Sequence, residues 1–314
     1  MLSNVRVLTS FAAACLTMAA APALANANAE ADDDQPQPVA TVAAAAAVAE
    51  SAPDDADAAP SSPSEWTPLS LHNFGSELTA KWIPVPNGDS GAPRQGWLAT
   101  ADGFFTREAH LAYDYVDGRG FDSHEVLARF NYPLTRRLWA GLEVPFFQQS
   151  GSVRDFGDIT LSTLVMLHES KNVSINAGVG WRLPTGTIEL GNQVFAATPQ
   201  LNFWSDVGHG FSLRGRVGYQ FANSGRPDTF VLNGTIGQTI TDHSKAPFGD
   251  LSWYVAANWR DSFGPLGGNF VSITPGMRTH LGKNLFLLAG VEFPVTAQTE
   301  SFNQRFILQF VQGF

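Results

Sequence analysis

Cysteine, methionine and charged residues are scarce in this sequence, and the scarcity excludes several kinds of protein. The chain has 314 residues with one cysteine and four methionines, and 15% of its residues are charged against 44% hydrophobic. Soluble domains carry about 25% charged residues. The one cysteine, Cys15, lies in the N-terminal leader described next. We therefore expect a mature chain without disulfides and without thiolate-bound zinc.

The N-terminus has the pattern of an exported protein. Arg6 precedes an apolar stretch over residues 7–21, and small residues at alternate positions follow up to Ala27. The apolar stretch is shorter than the roughly 20 residues that a membrane-spanning helix needs. These features predict a cleavable secretory signal peptide over residues 1–27.

The net charge of −10 comes from the segment after this leader. From Phe104 to Phe314 the sequence has 16 Lys and Arg against 17 Asp and Glu, so that part is almost neutral. Residues 28–64 are rich in Ala, Pro, Asp and Ser and contain no aromatic residue. Such a composition cannot bury enough apolar surface to fold, which predicts a disordered linker. No basic patch favours a nucleic-acid partner.

Aromatic residues return in residues 65–103, at Trp66, Phe74, Trp82 and Trp97. The segment precedes the first stretch with a strand-like pattern. Three interpretations remain open at this point. It is a periplasmic cap, a plug inserted into the following domain, or an ordered lead-in segment.

From Phe104 onward the sequence alternates between apolar and polar residues with a period of two. Alternation places one set of side chains on each face of a strand. In residues 211–221, for example, Leu213 and Val217 alternate with Arg214 and Arg216. We predict twelve strands, over residues 104–116, 122–132, 138–147, 158–168, 172–183, 198–205, 211–221, 229–240, 251–260, 270–281, 285–295 and 304–314.

The length and number of these strands predict an all-β fold, an antiparallel transmembrane β-barrel. Tilted strands of about 9–11 residues cross a bilayer, and bacterial single-chain barrels have an even number of them. Connections after even-numbered strands are mostly tight, whereas those after odd-numbered strands are longer, which fits periplasmic turns and external loops. The last strand ends on Phe314. Pro275 does not fit this prediction, because it lies inside the predicted strand 270–281, where a proline removes a ladder hydrogen bond.

The polar face of these strands is the candidate functional surface. If the apolar face meets lipid, the polar face points into the lumen, where charges either set solute selectivity or pair with one another. Both roles remain open. The lumen-facing candidates are Glu108, Asp114, Glu125, Arg129, Glu143, Arg182, Arg214, Arg216, Arg260, Arg278, Glu292 and Arg305.

No motif in the sequence predicts catalysis, a cofactor or a bound metal. The seven histidines have no metal-ligand spacing, and neither a nucleophile elbow nor a phosphate loop is present. The stretch from Gly88 to Pro93 resembles the nucleophile sequence of chymotrypsin-like proteases. Only His72 precedes it in the mature chain, so we interpret it as a turn.

Two short stretches resemble a known family. Residues 156–161 read FGDITL and residues 177–186 read AGVGWRLPTG. This is similar to outer-membrane transporters associated with the phenol-degradation (MetA) pathway, in which a Gly-Asp strand start precedes a strand that ends Leu-Pro-Thr-Gly. The resemblance covers about residues 104–314. It implies a β-barrel that passes small, often hydrophobic compounds, and it carries over no catalytic residue.

These observations together predict a passive outer-membrane channel for small solutes. The expected solutes include hydrophobic and aromatic compounds. The expected partners are outer-membrane lipid, the solute, and the barrel-assembly machinery, which would recognise the C-terminal strand ending at Phe314. One alternative is a closed structural or adhesive barrel without transport. Another is a soluble exported all-β binding protein, which would turn its apolar face inward.

Overall fold

A computed structural model describes residues 66–118, 120, 122–190, 192–223, 225–264, 267–296 and 302–314. The predicted signal peptide and linker lie outside the described residues. Within the described residues, no helix is long and apolar enough to cross a membrane. The helical elements are α1, Phe74–Glu77, and a 3₁₀ turn, Ile188–Leu190.

Thirteen strands make up most of the described chain. Twelve of them are 10–14 residues long, and β4 has only three residues. The strands are β1 Glu108–Gly118, β2 Ser123–Pro133, β3 Leu138–Ser150, β4 Val153–Asp155, β5 Thr160–Glu169, β6 Val173–Arg182, β7 Ala196–Gly208, β8 Phe211–Ala222, β9 Thr229–Thr239, β10 Gly249–Ser262, β11 Asn269–Gly282, β12 Leu285–Pro294 and β13 Phe302–Gly313.

The strands close into a twelve-stranded antiparallel barrel. Each long strand pairs with its neighbours in the chain, and β1 pairs with β13, so the sheet has no free edge among these twelve. The short strand β4 pairs with β3 alone and forms a hairpin beyond the barrel wall. Closure is what lets a sheet cross a bilayer, because every backbone amide then finds a partner. The predicted transmembrane β-barrel is confirmed.

Each of the twelve predicted strands coincides with one barrel strand, but two boundaries differ in an informative way. The first strand begins at Glu108 and not at residue 104, because Phe104 and Phe105 turn inward and are buried against the inner wall of the barrel. The predicted loop over residues 148–157 contains the end of β3 and the strand β4.

The two faces of the wall differ as a bilayer requires. In β8, Leu213 and Val217 are 37% and 39% exposed on the outside, whereas Ser212 and Arg214 are buried inside. Aromatic side chains lie exposed near strand ends, as at Trp181, where the membrane interface would be. An apolar face turned outward does not fit the soluble alternative.

Pro275 is accommodated by a local gap in the ladder. It pairs with Val255 of β10, but β11 and β12 have no paired residues between Ile273 and Gly276. Because proline has no N–H, the gap falls where that donor is missing. Gln312 also has a role at the barrel end, since its side-chain amide donates to the carbonyl of Lys283 at 3.0 Å.

Residues 66–107, called the inner segment here, contribute buried apolar side chains to each of the three packed clusters of the described chain. Trp97 and Leu98 pack against Tyr254 and four further inward residues of β12 and β13. Leu69 and Phe105 pack against β5, and Ala92 and Phe104 pack against Trp204 of β7. Each fully buried Leu or Phe side chain contributes about 1.5–3 kcal/mol to folding. The core of the described chain therefore lies between the inner segment and the barrel wall.

Candidate functional site: the partly filled lumen

The first half of the inner segment lies across the barrel end that carries the short turns. Leu69 pairs with Glu169 at the end of β5, with backbone hydrogen bonds of 2.8 and 2.9 Å. Arg137, after β2, donates to the carbonyl of Ser70 at 2.7 Å. Farther along, the backbone N–H of Ser90 donates to the Asp206 carboxylate at 2.8 Å. This half is therefore attached to three successive turns of the barrel.

Residues 88–91 form a turn in this half, as predicted for the stretch that resembles a protease nucleophile. The N–H of Gly88 donates to Ala92 at 3.0 Å, and Gly91 has a φ of +85°, a conformation that glycine adopts without strain. The Ser90 hydroxyl donates to Asp206. Within the part of the chain that the structure describes, this serine bonds to Asp206 and Gly210 and to no histidine.

The second half of the inner segment enters the lumen and is held by inward side chains of β8 to β11. Arg278 donates to the carbonyl of Gly96 at 2.8 Å, and Arg214 donates to the carbonyl of Gln95. The N–H of Leu98 donates to the Tyr254 hydroxyl at 3.0 Å. These bonds satisfy backbone groups that a segment without secondary structure would otherwise bury unpaired.

Asn233 of β9 holds the innermost part of the segment. Its side-chain amide donates to the carbonyl of Ala99 at 2.8 Å, and its oxygen accepts from the Thr100 hydroxyl at 3.1 Å and the Ala101 N–H at 3.2 Å. Asn233 lies six residues from the end of β9 at the short turns. The segment thus reaches about half-way along the strand before it returns to β1.

Ring contacts add to this attachment. The Arg214 guanidinium lies 3.6 Å from the centroid of the Trp97 ring, within the range of a cation–π contact. The Trp97 and Tyr254 rings stack with centroids 4.9 Å apart. Glu108 completes the group, with a carboxylate oxygen 3.9 Å from Arg278. Three of the predicted lumen residues, Glu108, Arg214 and Arg278, therefore hold the inner segment and do not border open space.

The remaining space in the lumen forms two cavities of about 420 and 570 Å³, one on each side of the inner segment. The smaller is bordered mainly by β2, β3 and β5 to β8, and the larger mainly by β1, β2 and β13. Thr100, Arg129, Arg216, Val231 and Arg260 border both cavities. These five residues mark the place where the cavities adjoin.

Most of the predicted charged residues that border the cavities are paired. Arg129 donates to Glu143 through Nε and Nη2, at 2.9 and 2.6 Å. Arg305 binds Asp114 and lies 3.6 Å from Glu292. Glu125, which is not among the residues that border either cavity, accepts a hydrogen bond from Gln148 of β3. Pairing and lining of the lumen, which the sequence left as alternatives, therefore occur together.

Arg182 borders the smaller cavity at the end of β6 and is paired with Asp158, just before β5. Its Nε donates to Asp158 at 2.8 Å. The same carboxylate accepts the backbone N–H groups of Gly186, Gln193 and Val194, at 2.9, 2.9 and 3.1 Å. One side chain thus closes the long loop between β6 and β7. The two sequence stretches that carry the family resemblance meet at this point.

The environment of Asp158 favours its ionised form. Burial alone raises the pKa of a carboxyl, but the N–H groups of Gly186, Val194 and Gln193 and the guanidinium of Arg182 donate to the carboxylate and outweigh burial. The pKa of Asp158 is therefore below its ordinary value. The carboxylate is charged at neutral pH and holds the loop.

Sequence reasoning did not single out several residues that shape the lumen. Tyr254, Asn233 and Gln95 bind across more than 100 positions in the chain, and no local pattern announces such contacts. The one available signal was that inward positions of β9 and β10 carry polar residues such as Asn233 and Ser252. An empty lumen would not require polar residues at these positions, whereas a segment inside the barrel gives them hydrogen-bond partners.

Comparison with known proteins identifies the family. Residues 85–310 match the family model described as "Putative MetA-pathway of phenol degradation". The chain belongs to this family. The match begins within the inner segment, so the family pattern includes the part that enters the lumen. A search of curated proteins finds no significant match.

Solved structures show the same fold at low sequence identity. An outer membrane channel from Pseudomonas putida F1 superposes with a TM-score of 0.54 and 13% identity, covering 70% of this chain and 99% of that one. A NanC porin superposes with a TM-score of 0.50 and 8% identity, covering 66% of this chain and 99% of that one. At this identity the likeness establishes the fold of outer-membrane barrels.

Proposed function

We propose that this protein is a passive outer-membrane channel for small solutes, which pass beside the inner segment without chemical conversion. The observation that carries the proposal is the position of the two cavities, which adjoin at Thr100 and lie beside the segment that Asn233 of β9 holds in the lumen. The fold, and its likeness to the outer membrane channel from P. putida F1, support the same assignment.

The family description supports a finer proposal about the cargo. It connects the family with phenol degradation, and small aromatic compounds fit cavities within the ordinary range of about 300–1,000 Å³ for ligand sites. We propose that such compounds are among the solutes that permeate. Proposed partners also include the barrel-assembly machinery, which would bind the last strand, β13, and the terminal Phe314.

Conductance in a planar lipid bilayer tests the channel. The refolded protein should migrate anomalously on a gel unless it is heated, which reports a folded barrel, and should then give discrete current steps. Liposomes that contain the protein should swell in isotonic solutions of small neutral aromatics and not in solutions of large oligosaccharides. A folded barrel that carries no current and allows no swelling would overturn the proposal.

A closed structural barrel is the second candidate, and the inner segment favours it. Its contacts with Arg214, Tyr254, Asn233 and Arg278 fill a large part of the lumen. The same two measurements separate the candidates, since a closed barrel would be folded and silent. Removal of residues 66–104 would then produce current where the full chain produces none.

A further inference from the structure

The place where the two lumen cavities adjoin is unusually rich in arginine. Three of the five residues that border both cavities are Arg129, Arg216 and Arg260. They come from β2, β8 and β10, so their side chains approach from different parts of the wall. A solute that moves from one cavity to the other passes these three guanidinium groups.

Among the described residues, none of the carboxylates around the cavities forms a direct ion pair with Arg216. Four carboxylates border the two cavities, and each lies within ion-pair distance of another arginine. The pairs are Glu143 with Arg129 at 2.6 Å, Asp102 with Arg214 at 3.5 Å, Glu292 with Arg305 at 3.6 Å, and Asp114 with Arg305. Among the residues that the structure describes, no carboxylate lies within 4.0 Å of Arg216.

The contacts of Arg216 leave much of its hydrogen-bonding capacity unused. Its one described hydrogen bond goes to the neutral amide oxygen of Gln200, at 3.5 Å, and its buried Nε has no partner among the described residues. A guanidinium has five N–H donors in a rigid fork. A half-buried guanidinium with one long bond therefore has several donors available to a ligand.

We propose that Arg216, assisted by Arg129 and Arg260, forms an anion-binding site in the lumen, and that its ligands are small organic carboxylates. This rests on the proposed channel function and names its substrate class. The planar fork of a guanidinium matches a carboxylate, and the charged hydrogen bonds are about twice as strong as neutral ones. The existing pair of Arg129 with Glu143 shows that carboxylate binding is sterically possible at this position.

The surroundings of the site favour a reversible ligand. Glu143 remains bound to Arg129 beside the site and repels an anion that enters, while Arg216 attracts it. A channel needs such a balance, because binding must be strong enough for entry and weak enough for release. The apolar side chain of Val231 borders both cavities next to the arginines and offers a contact for the ring of an aromatic carboxylate.

Benzoate is the probe, and the current through the full-length channel is the readout. In a chloride gradient the wild type should prefer anions, and benzoate should block chloride current while its neutral analogue benzyl alcohol does not. Arg216→Gln should lose the anion preference and require about tenfold more benzoate for block, as expected for one lost charged hydrogen bond. Arg216→Lys should retain the preference and weaken block, since it keeps the charge without the fork.

The matched control is Arg154→Gln, which removes a positive charge from the exposed strand β4. It should leave both readouts unchanged. If wild type carries current without anion preference or benzoate block, or if Arg216→Gln keeps both, the inference is overturned. If Arg154→Gln has the same effect as Arg216→Gln, the effect is one of overall charge and the site is refuted.

Calorimetric titration of the folded barrel in detergent separates failure of the site from failure of the channel. Benzoate should bind the wild type and bind Arg216→Gln about tenfold more weakly. A silent barrel that still binds benzoate through Arg216 would overturn the channel and leave the site. A conducting barrel in which Arg216→Gln binds benzoate as wild type does would overturn the site and leave the channel.

Discussion

The carboxylate of Asp158 accepts a hydrogen bond from the backbone N–H of Gly186 at 2.9 Å. These residues are 28 positions apart and lie in the two stretches that resemble the family, the Gly-Asp start of β5 and the Leu-Pro-Thr-Gly corner after β6. The motifs are therefore two halves of one contact. Together the two motifs hold the loop between β6 and β7 in place at the barrel end that carries the long loops.

Replacing this carboxylate should loosen the loop and destabilise the barrel. Asp158→Asn removes the charge while Arg182 and four backbone N–H groups, including that of Gly186, still point at the position. We expect a loss of about 2 kcal/mol, because hydrogen bonds to charged groups contribute about 1.5–3 kcal/mol each and the amide retains part of them. The change in unfolding free energy is measured by following the folded fraction in a urea titration. Asp155→Asn, an exposed carboxylate in the same hairpin, should change stability little.

The effect of this substitution should depend on pH. The pKa of Asp158 is below its ordinary value in the folded protein. A depressed pKa contributes stability at neutral pH that is lost as the pH falls below about 4 and through the folded pKa. The stability gap between wild type and Asp158→Asn should therefore be full at pH 7 and shrink below about pH 4. A gap of the same size at about pH 2.5 would contradict this origin.

Gly186 itself should tolerate no side chain. A Cβ at this position would lie 2.7 Å from the backbone of Phe156 and of Gly157. Gly186→Ala must therefore displace backbone and should lower the urea midpoint clearly. Gly234→Ala is the control, because a Cβ there meets no atom within 4 Å. Equal effects of the two substitutions would show that loss of backbone freedom, and not the close approach, is responsible.

The strands could be predicted from sequence, whereas a plug in the lumen was only one of three interpretations that the sequence left open for residues 65–103. Alternation and strand length are local properties, so even Pro275 did not disturb the assignment of β11. The inward direction of Arg214 and Arg278 follows from the same period of two. Their partners do not, because the carbonyls of Gln95 and Gly96 lie more than 100 positions away and carry no side-chain signal.

The attachment of the inner segment can be tested with one hydroxyl. Tyr254→Phe keeps the ring stacked on Trp97 but leaves the Leu98 N–H buried without its acceptor, which costs about 1–3 kcal/mol. Amide hydrogen exchange should become faster at residues 95–104 while the strands stay protected. Tyr113→Phe, which removes an exposed hydroxyl bound to His124, should leave exchange in the segment unchanged. Unchanged exchange at residues 95–104 in Tyr254→Phe would mean that the other contacts of the inner segment hold it in place without this hydrogen bond.

The assignment of the two faces can be tested on a single strand. Leu201 of β7 is 44% exposed on the outside, whereas Thr198 of the same strand borders a lumen cavity. An arginine on the lipid side of a barrel costs about 2–4 kcal/mol near the bilayer centre, while the lumen hydrates it. Leu201→Arg should therefore reduce the folded fraction in lipid vesicles strongly, and Thr198→Arg should fold and alter ion selectivity. The reverse order would mean that the apolar face does not meet lipid.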